Sequence, residues 1–504
     1  MSFTSWLFLF VLAYFVVLLV VAWYTSRGAN NESFFIGNRR SNWMLVAFGM
    51  IGTSLSGVTF VSVPGTVGAA GFGYFQVVLG YVLGYAVIVF VLLPLYYKLN
   101  LTSIYNYLQG RFGMVSYKTG ALFFIISRVI GATPRLYLVI NVLYLFILRD
   151  MNVPFAIATF VILLMILLYT YEGGVKTIVF TDTLQTTCML LGLIVCIIYV
   201  LNHSEQAAGL TLSELSNKNL TRIFNTDVNS GGFFLKQIIG GMFITITMTG
   251  LDQEMMQKNI SVRTLRDSQK NMITFTAIIV VVNFLFLLMG GLLYLYAGTH
   301  GIKVAADDLF PTIALHYMPT AISIIFVIGL ISALFPSADG ALTALTSSVC
   351  IDLIGMKRRE DWDEKKKKRI RQTVHLCFAL VFFLMVMALK WIDNKSIIDV
   401  ILKVAGFTYG PLLGLFAFGI LTKRVINDKL ALYVCIAAPI LIWGLDFINN
   451  IEWYQKQFKL SGNSIDSIKQ LSVSIFGKFR IGYELLIYNG LLTFLGLLLI
   501  SKKK

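Results

Sequence analysis

The sequence predicts an all-α integral membrane protein of about thirteen transmembrane helices, and three observations carry that prediction. Of 504 residues, 57% are hydrophobic and only 13% are charged, about half the charge density of a soluble domain. Apolar runs of about 20 residues, each long enough to cross a hydrocarbon core, recur from end to end. The basic residues fall mostly between those runs, as the positive-inside rule requires. A backbone embedded in lipid must satisfy its hydrogen bonds within each segment, so the spans are helices.

In chain order the spans cover residues 3–24, 43–65, 70–97, 118–147, 153–171, 177–201, 233–257, 272–298, 321–350, 372–393, 398–421, 430–447 and 481–501. The first run, Trp6 to Trp23, is too long for a signal-peptide core and has no basic region before it, so it counts as a span. An odd number of spans places the two ends on opposite sides. With the amino terminus outside, the cytoplasmic loops hold most of the basic residues, among them Arg39, Arg111, Lys118, Lys258, Lys270 and the 357–371 cluster. The cluster Lys365–Arg371 reads as a solvated loop facing lipid headgroups. Loops 202–232 and 448–480 are polar and read as caps over the outer face. His375 opens a span beside the basic loop and reads as interfacial.

The net charge of +16 does not indicate a nucleic-acid partner, because the charge is spread among membrane loops. The five cysteines fall in or beside apolar runs and read as packing residues, with no disulfide framework.

Two spans are unlike lipid-facing helices. The second contains Gly49, Gly52, Thr53, Ser54, Ser56, Gly57 and Thr59. The seventh contains Gly240, Gly241, Thr245, Thr247, Thr249 and Gly250. Glycine and hydroxyl clusters at mid-membrane serve close helix packing. They also allow a helix to break and free carbonyl oxygens for a cation. Two such spans, five apart, are the mark of an inverted-repeat transporter with a central site.

Three further stretches point to a family. Gly173 and Gly174 are followed by Thr181-Asp182 and Gln185. Ser332-Ala333 leads through Pro336-Ser337-Ala338-Asp339-Gly340 to Thr346-Ser347-Ser348 and Asp352. Ala405-Gly406 leads to Gly410-Pro411, Gly414 and Gly419. Together with the order of the spans, these residues resemble the sodium:solute symporters, whose relatives carry sugars, proline, sialic acid and iodide. The resemblance covers nearly the whole chain.

The resemblance implies a five-plus-five inverted repeat of the leucine-transporter type. Residues 43–201 would form the first repeat and 233–421 the second, within one transmembrane domain. Helices 3–24 and 430–501 would be peripheral. It also implies Na+ as the coupling ion, held by the carbonyls of Gly52, Leu55 and Ala333 and the hydroxyl of Ser337. These are the hard oxygen ligands that a small hard cation prefers. One position departs from the family pattern. A second hydroxyl usually precedes Ser337, and here that residue is Pro336. Proline removes a ligand but also frees the carbonyl of Ser332 from its helical partner. Asp339, one turn on, offers a charged oxygen instead, and proton coupling through it is the alternative to sodium. An additional ion site would draw on Asp182, Asp339 and Gly340, whereas a purely structural Asp182 would pair with a nearby donor.

Arg128, Arg135 and Lys403 lie at membrane depth. Each costs about 2.5–3.5 kcal/mol at the bilayer centre unless it is paired. Internal partners would be Asp182 and Asp339. A functional partner would be an anionic solute, for which arginine offers a bidentate fork. By resemblance to sialic-acid carriers, Arg135 takes a carboxylate, and Ser54, Ser56, Thr59 and Gln76 assist. Thr245 and Met248 on the seventh span line the same pocket. Met248 stands where sugar carriers place a gating tyrosine, and Lys403 replaces a polar sugar contact.

The expected function is therefore sodium-coupled import of a small, carboxylate-bearing polar solute. A proton-coupled symporter, or a transporter-like sensor or channel, is the alternative. No clustered His-carboxylate or Ser–His set suggests an enzyme, and no organic cofactor, nucleic acid or obligate protein partner is implied. The expected location is a bacterial inner membrane.

Overall fold

The structure is a computed structural model and describes residues 3–27, 31–171, 174–203, 208–392, 397–458 and 462–503. Gly173 of the family motif lies outside the described residues. The main helices, in chain order, are α1 (Phe3–Thr25), α2 (Trp43–Ser54), α3 (Gly57–Ala70), α4 (Phe75–Val87), α5 (Met114–Leu143), α6 (Phe155–Thr170) and α7 (Gly174–Asn202). Then follow α8 (Phe234–Thr245), α9 (Gln253–Ile260), α10 (Leu265–Thr299), α11 (Ala306–His316), α12 (Thr320–Ser348) and α13 (Glu364–Ile392). The last are α14 (Ile397–Thr408), α15 (Gly410–Leu421), α16 (Asp428–Asn449), α17 (Ile451–Phe458), α18 (Asn463–Phe476) and α19 (Leu485–Leu499).

Among the described residues, eight helices are long and apolar enough to cross a membrane, and three bent pairs bring the number to eleven. The count of thirteen is not reached on that criterion. The remaining two predicted spans, 153–171 and 481–501, correspond to α6 and α19, which are shorter apolar helices. The predicted polar caps also contain helices: Ala208–Asn217 in one, α17 and α18 in the other.

The chain divides into two compact units that alternate along the sequence. The first comprises residues 1–75, 128–223 and 254–398; the second comprises 76–127, 224–253 and 399–504.

In the first unit the break at residues 55–56 follows from local chemistry. Asn42 caps α2 by accepting the Met44 N–H at 2.9 Å. The helix stops at Leu55, whose φ/ψ of −89°/83° is not helical, and Ser56 is extended at −75°/174°. α3 then leaves at 56° to α2. The carbonyls from Gly52 onward have no following turn to donate to them. α7 packs against α2 and α12, and α10 packs against α3.

The seventh span also breaks, at the far end of its cluster of small and hydroxyl residues. α8 runs through Gly240 and Gly241 without interruption, continues as a π turn over Ile246–Gly250, and gives way to α9 only beyond Leu251 and Asp252. The two glycines serve close packing: a Cβ at 241 would meet the Val77 carbonyl oxygen at 2.4 Å. The second unit holds a third break, at Tyr409, where α15 leaves at 45° to the preceding segment. Tyr409 donates its hydroxyl to Asp252 at 2.9 Å.

His375 on α13 is buried, not interfacial. Its Nε2 lies 2.9 Å from Thr170 Oγ1 on α6, and its Nδ1 lies 2.9 Å from Thr346 Oγ1 on α12.

Candidate ion and solute site

The residues expected to hold sodium all lie in the first unit, where Gly52 of α2 meets α12 beside Ser337. Gly52 donates its N–H to Thr186 Oγ1 on α7 at 3.1 Å. Its other side abuts α12: a Cβ on residue 52 would stand 3.2 Å from Pro336 Cγ and 2.5 Å from Thr186 Oγ1. The absence of a side chain is what lets the broken end of α2 reach the Ala333–Ser337 turn. Leu55, Ala333 and Ser337 are all buried, and the Ser337 hydroxyl turns back on its own helix toward the carbonyls of Ala333 (3.4 Å) and Leu334 (3.3 Å). The oxygen-rich end of α2 and the Ser337 turn thus carry the donor chemistry a hard cation requires. Ser332 donates its hydroxyl to Tyr14 on α1 at 2.7 Å.

The charged residues are arranged otherwise than expected. Arg128 pairs with Glu254 on α9, not with an aspartate. Asp182 on α7 pairs with Lys258, also on α9, at 2.7 Å. The charge pattern of the sequence puts Lys258 in a cytoplasmic loop, but the structure buries it at 2% exposure. Its ammonium also donates to Thr53 Oγ1 at 2.5 Å and lies 4.0 Å from Glu254 Oε1. Thr53 in turn donates to Asp182 Oδ2 at 3.2 Å. Asp182 Oδ1 is buried with no hydrogen-bond partner among the described residues. Charges this deep are tolerated because each faces an opposite charge.

Asp339 is fully buried and accepts the Tyr169 hydroxyl at 2.7 Å. Gly340 beside it makes room for Glu254: a Cβ there would meet Glu254 Oε1 at 2.2 Å. Glu254 and Lys258 were missed in the sequence. A signal was present, because the two stand at i and i+4 and therefore share a helix face. The apolar run before them concealed it by placing both at the edge of a loop.

The solute residues divide between the units. In the first, Ser54 ends α2, Ser56 sits in the break and Thr59 lies on the first turn of α3. Gly57 packs against Val139 of α5. Arg135, half-buried and next to Pro134, precedes Val139 by four residues and so projects from the same face. In the second unit, Gln76 accepts the Asn225 N–H at 3.1 Å. Thr245 packs against the α4 backbone at Gly84, and Met248 is half-buried in the π turn. Lys403 forms an ion pair with Asp446 at 2.9 Å and lies over the rings of Trp453 and Tyr454.

The chain is similar to several known proteins. The sodium/sialic acid symporter of Proteus mirabilis (strain HI4320) is 22% identical over 429 residues, covering 81% of this chain and 83% of the relative. The sodium/sialic acid symporter of Aliivibrio fischeri (strain ATCC 700601 / ES114) is 22% identical over 456 residues, covering 88% of each. A solved structure of a Na+-coupled sialic acid symporter, in a substrate-bound outward-open state, superposes with a TM-score of 0.81 at 18% identity, covering 100% of both chains. That likeness establishes the fold as that of leucine-transporter-type carriers. The model of the family described as "Sodium:solute symporter family" matches residues 34–437. This chain, a multi-pass membrane protein, therefore belongs to the sodium:solute symporter family.

Proposed function

We propose that this protein is a sodium-coupled symporter that imports a small carboxylate-bearing solute of the sialic acid class. One observation carries the reading. The broken end of α2 lies against α12 through Gly52, which faces Pro336, the residue before Ser337. Sodium takes the carbonyls of Gly52, Leu55 and Ala333 and the hydroxyl of Ser337. The solute carboxylate takes the Arg135 guanidinium, and Ser54, Ser56 and Thr59 bind its neutral hydroxyls. The membership in the family and the two sialic acid symporters among the relatives support this choice of ion and solute.

Ion and solute share the break at residues 55–56, so occupancy of one site orders the backbone of the other. A sodium ion moving down 100 mV contributes about 2.3 kcal/mol, which offsets the equal cost of carrying one carboxylate against the same potential, so accumulation draws on the sodium concentration gradient or on a further ion. Transport of this kind needs no covalent step. We assign the two halves 43–201 and 233–421 as the inverted repeats, and the first turns of α13, which carry Lys365–Arg371, to the cytoplasmic face of a bacterial inner membrane.

Uptake of radiolabelled N-acetylneuraminate into proteoliposomes tests the reading. Accumulation is expected under an inward sodium gradient and not with choline in its place. Accumulation driven equally by a proton gradient without sodium would overturn sodium coupling. Equilibration without accumulation would identify a channel.

A further inference from the structure

We propose that the Lys258 ammonium is a resident cation: it fills a second monovalent-ion site, formed by Asp182, Thr53 and Glu254, that would otherwise take a sodium ion. The inference rests on the reading of the chain as a sodium symporter and concerns a place separate from Gly52–Ser337.

Two oxygens contact the ammonium directly, and a second carboxylate faces it from farther off. The ammonium nitrogen has Thr53 Oγ1 at 2.5 Å, Asp182 Oδ2 at 2.7 Å and Glu254 Oε1 at 4.0 Å. Three helices supply these oxygens: α2, α7 and α9. A carboxylate, a hydroxyl and a second carboxylate are the ligands a small hard cation selects. The second oxygen of Asp182 is buried and has no hydrogen-bond partner among the described residues, so a free ion would gain a ligand the ammonium does not use. Glu254 is also held by Arg128, which fixes its carboxylate from the other side.

Thr53 follows Gly52 directly, so the lysine grips the same broken segment that the coupling ion binds. The tethered charge therefore performs permanently what a second sodium would perform only when bound: it holds α2 against α7. It also repels any mobile cation from Asp182. Lysine suits this role because its ammonium is a compact point charge with rotatable donors on a flexible stem. A methyl-ended side chain of similar length would keep the volume without the charge.

Equilibrium binding of radioactive sodium to purified protein tests the proposal, with the Lys258→Ala and Lys258→Met variants beside the wild type. Lys258→Ala opens both room and charge and is expected to bind one more sodium ion per chain than the wild type. Lys258→Met fills the room and is expected to bind no more than the wild type. Thermal unfolding gives a second measure: Lys258→Ala should be destabilised in choline and recover in sodium or ammonium. A Lys258→Ala protein with the wild-type stoichiometry would overturn the proposal, as would one that no monovalent cation stabilises. A wild type that binds no sodium at all would instead overturn the Gly52–Ser337 assignment, leaving the extra ion of Lys258→Ala as a separate result.

Discussion

Gly52 and Pro336 meet where the broken end of α2 crosses α12, with room between them for no side chain: a Cβ on residue 52 would stand 3.2 Å from Pro336 Cγ. The same Cβ would press on Thr186 Oγ1 at 2.5 Å. Gly52→Ala must displace one neighbour or the other, and sodium affinity is expected to fall at least tenfold while the helices still form. Sodium-dependent thermal stabilisation measures this without any solute.

Pro336 removes a hydroxyl that would stand beside Ser337. Pro336→Thr restores it, and one additional oxygen ligand is expected to tighten sodium binding about fivefold, the equivalent of about 1 kcal/mol. Sodium titration of uptake should show a lower half-saturating concentration.

Arg135 is assigned to the solute and not to the ion. Arg135→Ala is expected to lose uptake of N-acetylneuraminate by a hundredfold or more, with sodium stabilisation unchanged. Arg135→Lys keeps the charge but not the fork and should recover only part of the activity.

Arg128 and Glu254 form a buried pair. Removal of one partner leaves an uncompensated charge, which costs about 3–5 kcal/mol. Arg128→Met alone is therefore expected to unfold at a markedly lower temperature. Arg128→Met combined with Glu254→Gln should recover most of the loss, as measured by thermal unfolding in detergent.

Lys403 is committed to Asp446 and to two aromatic rings in the second unit. Lys403→Ala is expected to lower the unfolding temperature and to leave the solute KM within about twofold. A large rise in KM with unchanged stability would return Lys403 to the solute site.

Much of the fold was legible because membrane spans announce themselves by apolar length, and the break in the second span was legible because Gly52, Ser54, Ser56 and Gly57 fall together. The seventh span carries the same composition and breaks past Gly250, at Leu251–Asp252, and not at Gly240–Gly241. Small residues permit either a break or close packing, and the neighbour decides: Val77 presses its carbonyl against Gly241, so packing wins. Lys258 and Glu254 were hidden for a related reason. A charge just beyond an apolar run reads as the end of a span, and only the turn of the chain at Leu251–Asp252 brings those charges back under Asp182. Lys403 read as a substrate ligand because its partner Asp446 lies on another helix, 43 residues further along the chain.

The buried ring of His375 joins α6, α12 and α13, and proton counting sets a condition on that joint. Thr170 and Thr346 each direct a hydroxyl proton to a carbonyl of their own helix, at Ile166 and Leu342. A neutral imidazole has one proton to give. One of the two threonines must then turn its hydroxyl toward the ring and give up its bond to the backbone carbonyl, a bond that favours bending of the helix. The tautomer of His375 thereby decides which of the two threonines keeps the bond to its own helix.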